Sequence, residues 1–280
     1  MLRIVPVYPE LLSIYGDRGN VRVLAQRARW RGLPVEVAPL RLGEDLDPAA
    51  TDVILIGGGQ DRDQALVADA LIAQVPALRS AIADGVPVLA VCGGFQLLGH
   101  SYLDQSGRET PGTGLVDLVT TAGRRRVVGN VVVEVTMNGV KQQLVGFENH
   151  AGRTELGAGV APLGRVVIGG GNIGDGQTEG CRVDRVLGAY VHGPLLPKNP
   201  WLADRLLAWG CEHRGLATPL DALDDRLEAA AAQAAIDIAR AETPTRRGGT
   251  RRRASTTADD PFVAARSDVT VARRSTCGRG

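Results

Sequence analysis

The chain has 280 residues, 44% of them apolar, with 32 basic and 31 acidic side chains and a net charge of +1. That is enough apolar material for one large domain with appendages. The absence of any run of about 18 apolar residues argues against a membrane-spanning helix. The four cysteines, Cys92, Cys181, Cys211 and Cys277, form no CxxC pair and no Cys/His cluster. Neither a disulfide framework nor a metal site is therefore expected, and nothing in the motifs points to nucleic acid.

The first strand is predicted over 2–8. The N-terminus lacks the apolar stretch and small-residue cleavage site of a signal peptide, so the cytoplasm is the expected compartment. Helices are predicted over 19–31, 64–72 and 77–84, and further strands over 35–38, 52–56 and 86–91. Strands alternating with helices predict an α/β fold, an open and mostly parallel sheet with helices on both faces. The runs VILIGG and PVLAVCGG are apolar without alternation, as strands buried on both sides must be.

Beyond residue 126 the pattern changes. Strands are predicted over 127–135 and 143–147, separated by a segment containing Asn138 and Gly139, a pair that favours a hairpin turn. Gly-rich loops follow over 157–164 and 169–180. A strand over 186–191 runs into His192, Gly193 and Pro194, and helices over 201–214 and 220–241 follow. The expected organisation is a catalytic domain over 1–215, a helical extension over 216–243, and a tail over 244–280. The tail holds nine arginines against three aspartates, a net of +6 that leaves −5 for the rest. It is expected to be disordered.

The stretch VPVLAVCGGFQLLGH, residues 86–100, puts Cys92 where a buried strand ends and a short amphipathic helix begins. Strand ends of a parallel sheet collect ligand-binding groups. Gly93 and Gly94 permit a tight strand-to-helix elbow, and helix amides behind a thiol favour its thiolate. The competing reading is a packed core cysteine beside a Gly-rich bend. A thiolate attacking a carbonyl also needs oxyanion donors and a base. The glycines at 57–59 in DVILIGGGQDRDQ end a neighbouring strand, and one of their amides with that of Gly93 would form an oxyanion hole. For the base, His192 at a strand end is preferred and His150 is the runner-up. His100 should point away from Cys92, and His213 should lie on the surface.

AVCGGFQLLGH resembles the nucleophile elbow of class I glutamine amidotransferases, especially the cobyric acid and cobyrinate a,c-diamide synthase branch, over roughly residues 2–210. YGDRGN at 15–20, GGGQD at 57–61, GFENHAGRT at 146–154 and YVHGPLLPKNP at 190–200 resemble a narrower family. That family is GatD, the glutamine-hydrolysing subunits of lipid II isoglutaminyl synthase. The resemblance implies a flavodoxin-like arrangement with Cys92 as the nucleophile that takes the γ-acyl group of L-glutamine and His192 as its base and acid. It places Gly58, Gly59 and Gly93 at the oxyanion positions, and Gln96 and Arg126 on the substrate. For Arg126 the competing reading is a solvated basic loop before a strand.

The resemblance also implies a heterodimer with a MurT-like subunit of the Mur-ligase family. That partner would use ATP and Mg to activate D-glutamate in the lipid II stem peptide, and ammonia would convert it to D-isoglutamine. No cofactor is implied for this chain, which has no GxxxxGK[ST] motif. Two departures stand out. Ala90 replaces a usual Gly, and Pro194 replaces a Glu that often completes a triad. Cys92 and His192 then act as a dyad, or an acid comes from elsewhere, the partner included. Two alternatives remain at this point. One is an amidotransferase subunit for a corrinoid, disfavoured because those enzymes usually carry a P-loop domain ahead of the glutaminase domain. The other is a non-catalytic binding module on the same fold.

Overall fold

Aliphatic runs without polar alternation leave both faces of a strand in need of cover, and the chain satisfies that need with a central parallel sheet. The structure is a computed structural model and describes residues 1–242; the basic tail expected over 244–280 lies outside the described residues. In chain order its elements are β1 (Leu2–Val7), α1 (Arg18–Trp30), β2 (Val35–Val37), β3 (Val53–Ile56), α2 (Asp61–Ala73) and α3 (Val75–Ala83). Then come β4 (Val88–Val91), α4 (Gly93–Leu97), β5 (Ser101–Leu103), β6 (Glu109–Pro111), β7 (Leu118–Met137) and β8 (Val140–Leu156). The last are β9 (Gly164–Ile168), β10 (Thr178–Glu179), β11 (Cys181–Val183), β12 (Val186–Ala189), α5 (Pro200–His213) and α6 (Arg226–Glu242).

The first sheet has the order β11-β12-β4-β3-β1-β2. All its pairings are parallel except β11 with β12. Strands β3, β4 and β12 are buried at every position. Their registers, Leu55 beside Leu89 and Leu89 beside Leu187, bring the carboxyl ends of β3, β4 and β12 to one edge. Helices α1 and α5 contribute Leu24, Ala28, Leu202 and Leu206 to the same core. The α/β fold expected from the alternation is the one observed.

The second sheet is larger than the sequence suggested. Its order is β10-β9-β7-β5-β6, with β8 paired to β7. β7 and β8 form a long antiparallel hairpin from Leu118 opposite Leu156 to Met137 opposite Val140. Asn138 at φ 51° and Gly139 at φ 76° make the tight turn their types favour. The expected strands were short because Arg124, Arg125 and Arg126 interrupt the apolar pattern. They sit where the register of β7 slips, between Ala122 and Val127. An irregularity of that kind lets a strand carry exposed charge without ending.

Two further contacts fix the frame. The backbone of Phe147 in β8 exchanges both hydrogen bonds with His192, at 3.0 and 2.9 Å, which ties the second sheet to the loop after β12. Helix α6, expected to begin near 220, begins at Arg226. It docks through Ile236 and Ala239 on Val132 and Val145. Among the described residues no single helix is long and apolar enough to cross a membrane.

Candidate active site

Cys92 lies one residue beyond β4 and immediately before α4. Its φ is 51° and its ψ −107°, a conformation that a residue with a side chain adopts only when its surroundings enforce it. The enforcement is visible on both flanks. The Cys92 amide donates to the carbonyl of Ala189 at 2.8 Å. A Cβ on Gly94 would lie 2.8 Å from the carbonyl oxygen of Gly57, so the elbow can close only over a glycine. The reading of Cys92 as a packed residue at an ordinary bend does not account for this strain.

The other expected oxyanion residues converge on the elbow. A Cβ on Gly58 would stand 3.3 Å from Cβ of Cys92, and one on Gly93 would stand 2.8 Å from the amide nitrogen of Gly59. The Gly93 amide favours the thiolate of Cys92. The Gly58 amide is engaged: it donates to Oδ2 of the buried Asp17 at 2.6 Å.

The thiol differs from the low-pKa expectation of an elbow at a helix start. Burial pushes it up to about 12; the charge of Asp17, and more weakly that of Glu179, adds to this, while the Gly93 amide and Arg126 oppose it. Desolvation of an anion outweighs the first amides of a five-residue helix. His192, 1% exposed, moves in the complementary direction. Burial lowers it to about 4, aided by the nearby charges of His150 and Arg126 and opposed by Glu148. At neutral pH the proton therefore rests on sulfur and the imidazole is neutral, a state in which it can accept a proton.

His150, the runner-up base, does not end a strand but lies within β8. Its ring stacks on Tyr190 at 3.6 Å between centroids, its Nδ1 meets the carbonyl of Gly152 at 2.9 Å, and its Nε2 stands 3.8 Å from Glu148. Gln96 is buried and donates to the Tyr190 hydroxyl at 3.2 Å, which in turn lies 2.6 Å from Oγ1 of Thr154. Arg126 is exposed on β7 rather than in a loop before a strand. Its Nε and Nη2 donate to Oδ1 and the carbonyl of Asn149 at 2.9 and 2.8 Å. Its charge reaches both Cys92 and His192. His100 is exposed and pairs with Asp117, away from the elbow. His213 corrects the surface expectation: its ring is largely buried and meets Asp52 at 3.0 Å.

Three buried acids around Cys92 and His192 escaped the sequence reading. Asp17 sits in YGDRGN, just before α1. Glu148 accepts from the amides of Gly170 and Gly171 at 2.6 and 3.0 Å. Glu179 accepts from Tyr190 and Val191 at 2.6 and 3.2 Å. Burial, reinforced by Glu148, raises the Glu179 carboxyl to about 8. Glu148 and Asp17 lay within motifs already singled out, and an acid embedded in an apolar or Gly-rich stretch was the available signal. Glu179 closes a Gly-rich loop and carried none. Among the described residues no group of three His, Cys, Asp or Glu is placed to hold a metal ion.

Comparison with known proteins fits this geometry. Residues 3–200 match the CobB/CobQ-like glutamine amidotransferase domain. The GatD subunit of lipid II isoglutaminyl synthase (glutamine-hydrolyzing) from Staphylococcus aureus (strain N315) is 39% identical over 235 residues, 84% of this chain and 95% of that protein. The corresponding subunit of Streptococcus pneumoniae is 36% identical over 239 residues, 85% of this chain and 91% of its own. A cobyric acid synthase of Pelotomaculum thermopropionicum is 35% identical over 193 residues, but the match takes in 36% of its length. Among solved structures, PurLQS from Thermotoga maritima shares the fold with a TM-score of 0.50 at 19% identity, covering 69% of this chain and 88% of that one. The glutaminase domain of Trypanosoma brucei CTPS, with bound acivicin, also gives 0.50 at 13% identity, covering 79% and 97%.

Proposed function

The chain belongs to the CobB/CobQ-like glutamine amidotransferase family, and from that premise we propose that it is the glutamine-hydrolysing subunit of a lipid II isoglutaminyl synthase. The observation that carries the catalytic half is the strained Cys92 at the end of β4, with the glycines of the β3 loop against it and His192 beyond the adjacent β12. The near-complete coverage of two GatD relatives, against about a third of a cobyric acid synthase, favours the lipid II acceptor over a corrinoid.

In this reading neutral His192 takes the Cys92 proton as sulfur attacks the γ-carbonyl of glutamine. The oxyanion is held by backbone amides of the 58–59 loop and Gly93. His192 returns the proton to the departing nitrogen, ammonia leaves, and a γ-thioester remains on Cys92. Water, deprotonated by His192, then attacks the thioester, releasing glutamate and restoring the thiol. Arg126 suits the α-carboxylate of glutamine, since a guanidinium can bind a carboxylate through two parallel hydrogen bonds. Gln96, buried and hydrogen-bonded to Tyr190, helps hold the glutamine. The ammonia acceptor is the α-carboxylate of D-glutamate in the lipid II stem peptide, activated with ATP and Mg by a Mur-ligase-like partner. This places the chain in the cytoplasm, where ATP is available.

The test is glutamate release from glutamine by the full chain, alone and co-expressed with that partner, beside D-isoglutamine formation in lipid II. Cys92→Ala and His192→Ala should each lower glutamate release by roughly 10⁴-fold or more, as removal of a nucleophile or its base does elsewhere. Arg126→Ala should raise KM more than it lowers kcat. Full activity in Cys92→Ala would return Cys92 to a packing role.

A further inference from the structure

Asp17 is a buried group at the elbow whose position the reaction above does not use. Its residue type and its place immediately before α1 suit it to cap that helix, yet its side chain makes no capping hydrogen bond. Its side chain instead accepts from Gly58 N–H at 2.6 Å, across 41 residues of chain. Its other oxygen, Oδ1, is buried with no hydrogen-bond partner among the described residues.

The Gly58 amide is where the tetrahedral oxyanion would be held. A carboxylate oxygen at hydrogen-bond distance from that amide stands where the anionic oxygen of the intermediate would stand, with the same charge and the same acceptor geometry. The surrounding segment reinforces the placement. Ile14 N–H donates to the carbonyl of Gly58 at 3.1 Å, so the turn at Ile14–Gly16 lies over the same glycine. On its other side the segment leans on the loop after His192. A Cβ on Gly19 would lie 2.7 Å from Cγ of Pro194, and Asn20 Oδ1 accepts from Leu196 N–H at 2.8 Å. Asp17 thus sits on a strap between the two strand-end loops of the site.

Its charge works in the same direction as its position. Burial raises the Asp17 carboxyl to about 6, which still leaves it anionic at neutral pH. An anion beside the thiol raises the cost of making a thiolate there. Occupancy of the oxyanion donor and repulsion of the nucleophile are separate effects, and both oppose attack by the thiol.

We infer that Asp17 is an internal oxyanion mimic: its carboxylate occupies the Gly58 amide and must withdraw before glutamine can be hydrolysed at Cys92. The inference rests on the glutaminase reading and adds to it a regulatory group within the same site.

The test compares the full chain with Asp17→Ala and Asp17→Asn, without partner, by two measurements. The first is the alkylation rate of Cys92 by iodoacetamide, located by peptide mass, which depends on the thiolate and not on glutamine. Both variants remove the charge, and each should react about tenfold faster than wild type, the equivalent of one pKa unit. The second is glutamate release. Asp17→Ala frees the donor and should raise kcat by about a hundredfold, the usual worth of one oxyanion donor. Asp17→Asn keeps an acceptor at Gly58 and should fall between Asp17→Ala and wild type. Should Asp17→Ala not fold, the nearly isosteric Asp17→Asn carries both measurements. An unchanged or slower alkylation rate, or a fall in glutamate release from a folded variant, overturns the inference. Failure of the glutaminase reading is visible separately, as wild-type chain that releases no glutamate even with its partner. In that case faster alkylation in both variants would still support the effect of Asp17 on the thiol, and an unchanged rate would overturn it.

Discussion

Arg27 and Glu179 are both almost wholly buried, and they are accommodated in opposite ways. Arg27, 2% exposed on α1, donates to both oxygens of Asp204 at 2.6 and 2.7 Å and to both oxygens of Asp225 at 2.6 and 3.0 Å. Arg31 adds a second cation to Asp204 at 2.7 Å. The cluster joins α1, α5 and the start of α6, and its charges alternate. At the strand ends, by contrast, Asp17 and Glu179 act on the Cys92 thiol and Glu148 on His192, and the hydrogen bonds of all three acids come from backbone amides. Two of those carboxyls are raised, to about 6 and about 8. Alternating charge far from the elbow is what stability alone would select. Acids crowded without guanidinium partners are costly and belong where chemistry is done.

One of the two largest effects should come from the paired cluster. Arg27→Met leaves two aspartates facing a neutral side chain, and partial exposure of both lets water recover some of the loss. A destabilisation of roughly 2–4 kcal/mol is expected in urea unfolding, below the full cost of orphaning a wholly buried ion. Replacement at no cost would erase the distinction between the two regions.

Glu179 sharpens the other side. Its folded carboxyl titrates near 8 against an unfolded value of 4.5. The folded state therefore holds a proton that the unfolded chain has lost. The associated stability is fully present below pH 4.5 and is lost as pH rises towards 8. Glu179→Gln cannot ionise, so its stability relative to wild type should climb across that window, by on the order of 2–4 kcal/mol at pH 8. The measurement is melting temperature against pH for both proteins. A flat difference would mean that Glu179 is ionised throughout and better solvated than its surroundings imply.

The smallest effect is expected at His100 and Asp117, an exposed pair at 3.1 Å. His100→Ala should change stability by less than about 0.5 kcal/mol, as exposed pairs do. A larger change would show that geometry alone, without burial, decides what a charge contributes here.

Much of the site was legible because its chemistry is written in local sequence. Cys92 ends an unalternating apolar run and is followed by two glycines, and His192 ends another such run. Those patterns identify strand ends without knowledge of what the strands pack against. The glycines at 57–59 and Gly93 were legible for the same reason, and the family resemblance narrowed the first group to Gly58 and Gly59. Arg126 was harder: a triplet of arginines looks like a loop until the opposing strand is seen to continue past it. The hairpin of β7 and β8 was therefore underestimated at both ends, although its turn at Asn138 and Gly139 was plain.

What the sequence determined by itself is the parallel sheet, the elbow and the candidates for nucleophile and base, because each follows from hydrophobic periodicity and residue type over a few neighbouring positions. What only the tertiary structure decided is the state of that site. The occupant of the Gly58 amide comes from 41 residues away in the chain. The high thiol and low imidazole arise first from burial, and Glu148, the acid that acts on His192, comes from β8 of the second sheet. Desolvation and long-range hydrogen bonds have no local signature, since they depend on which distant segments the fold brings together.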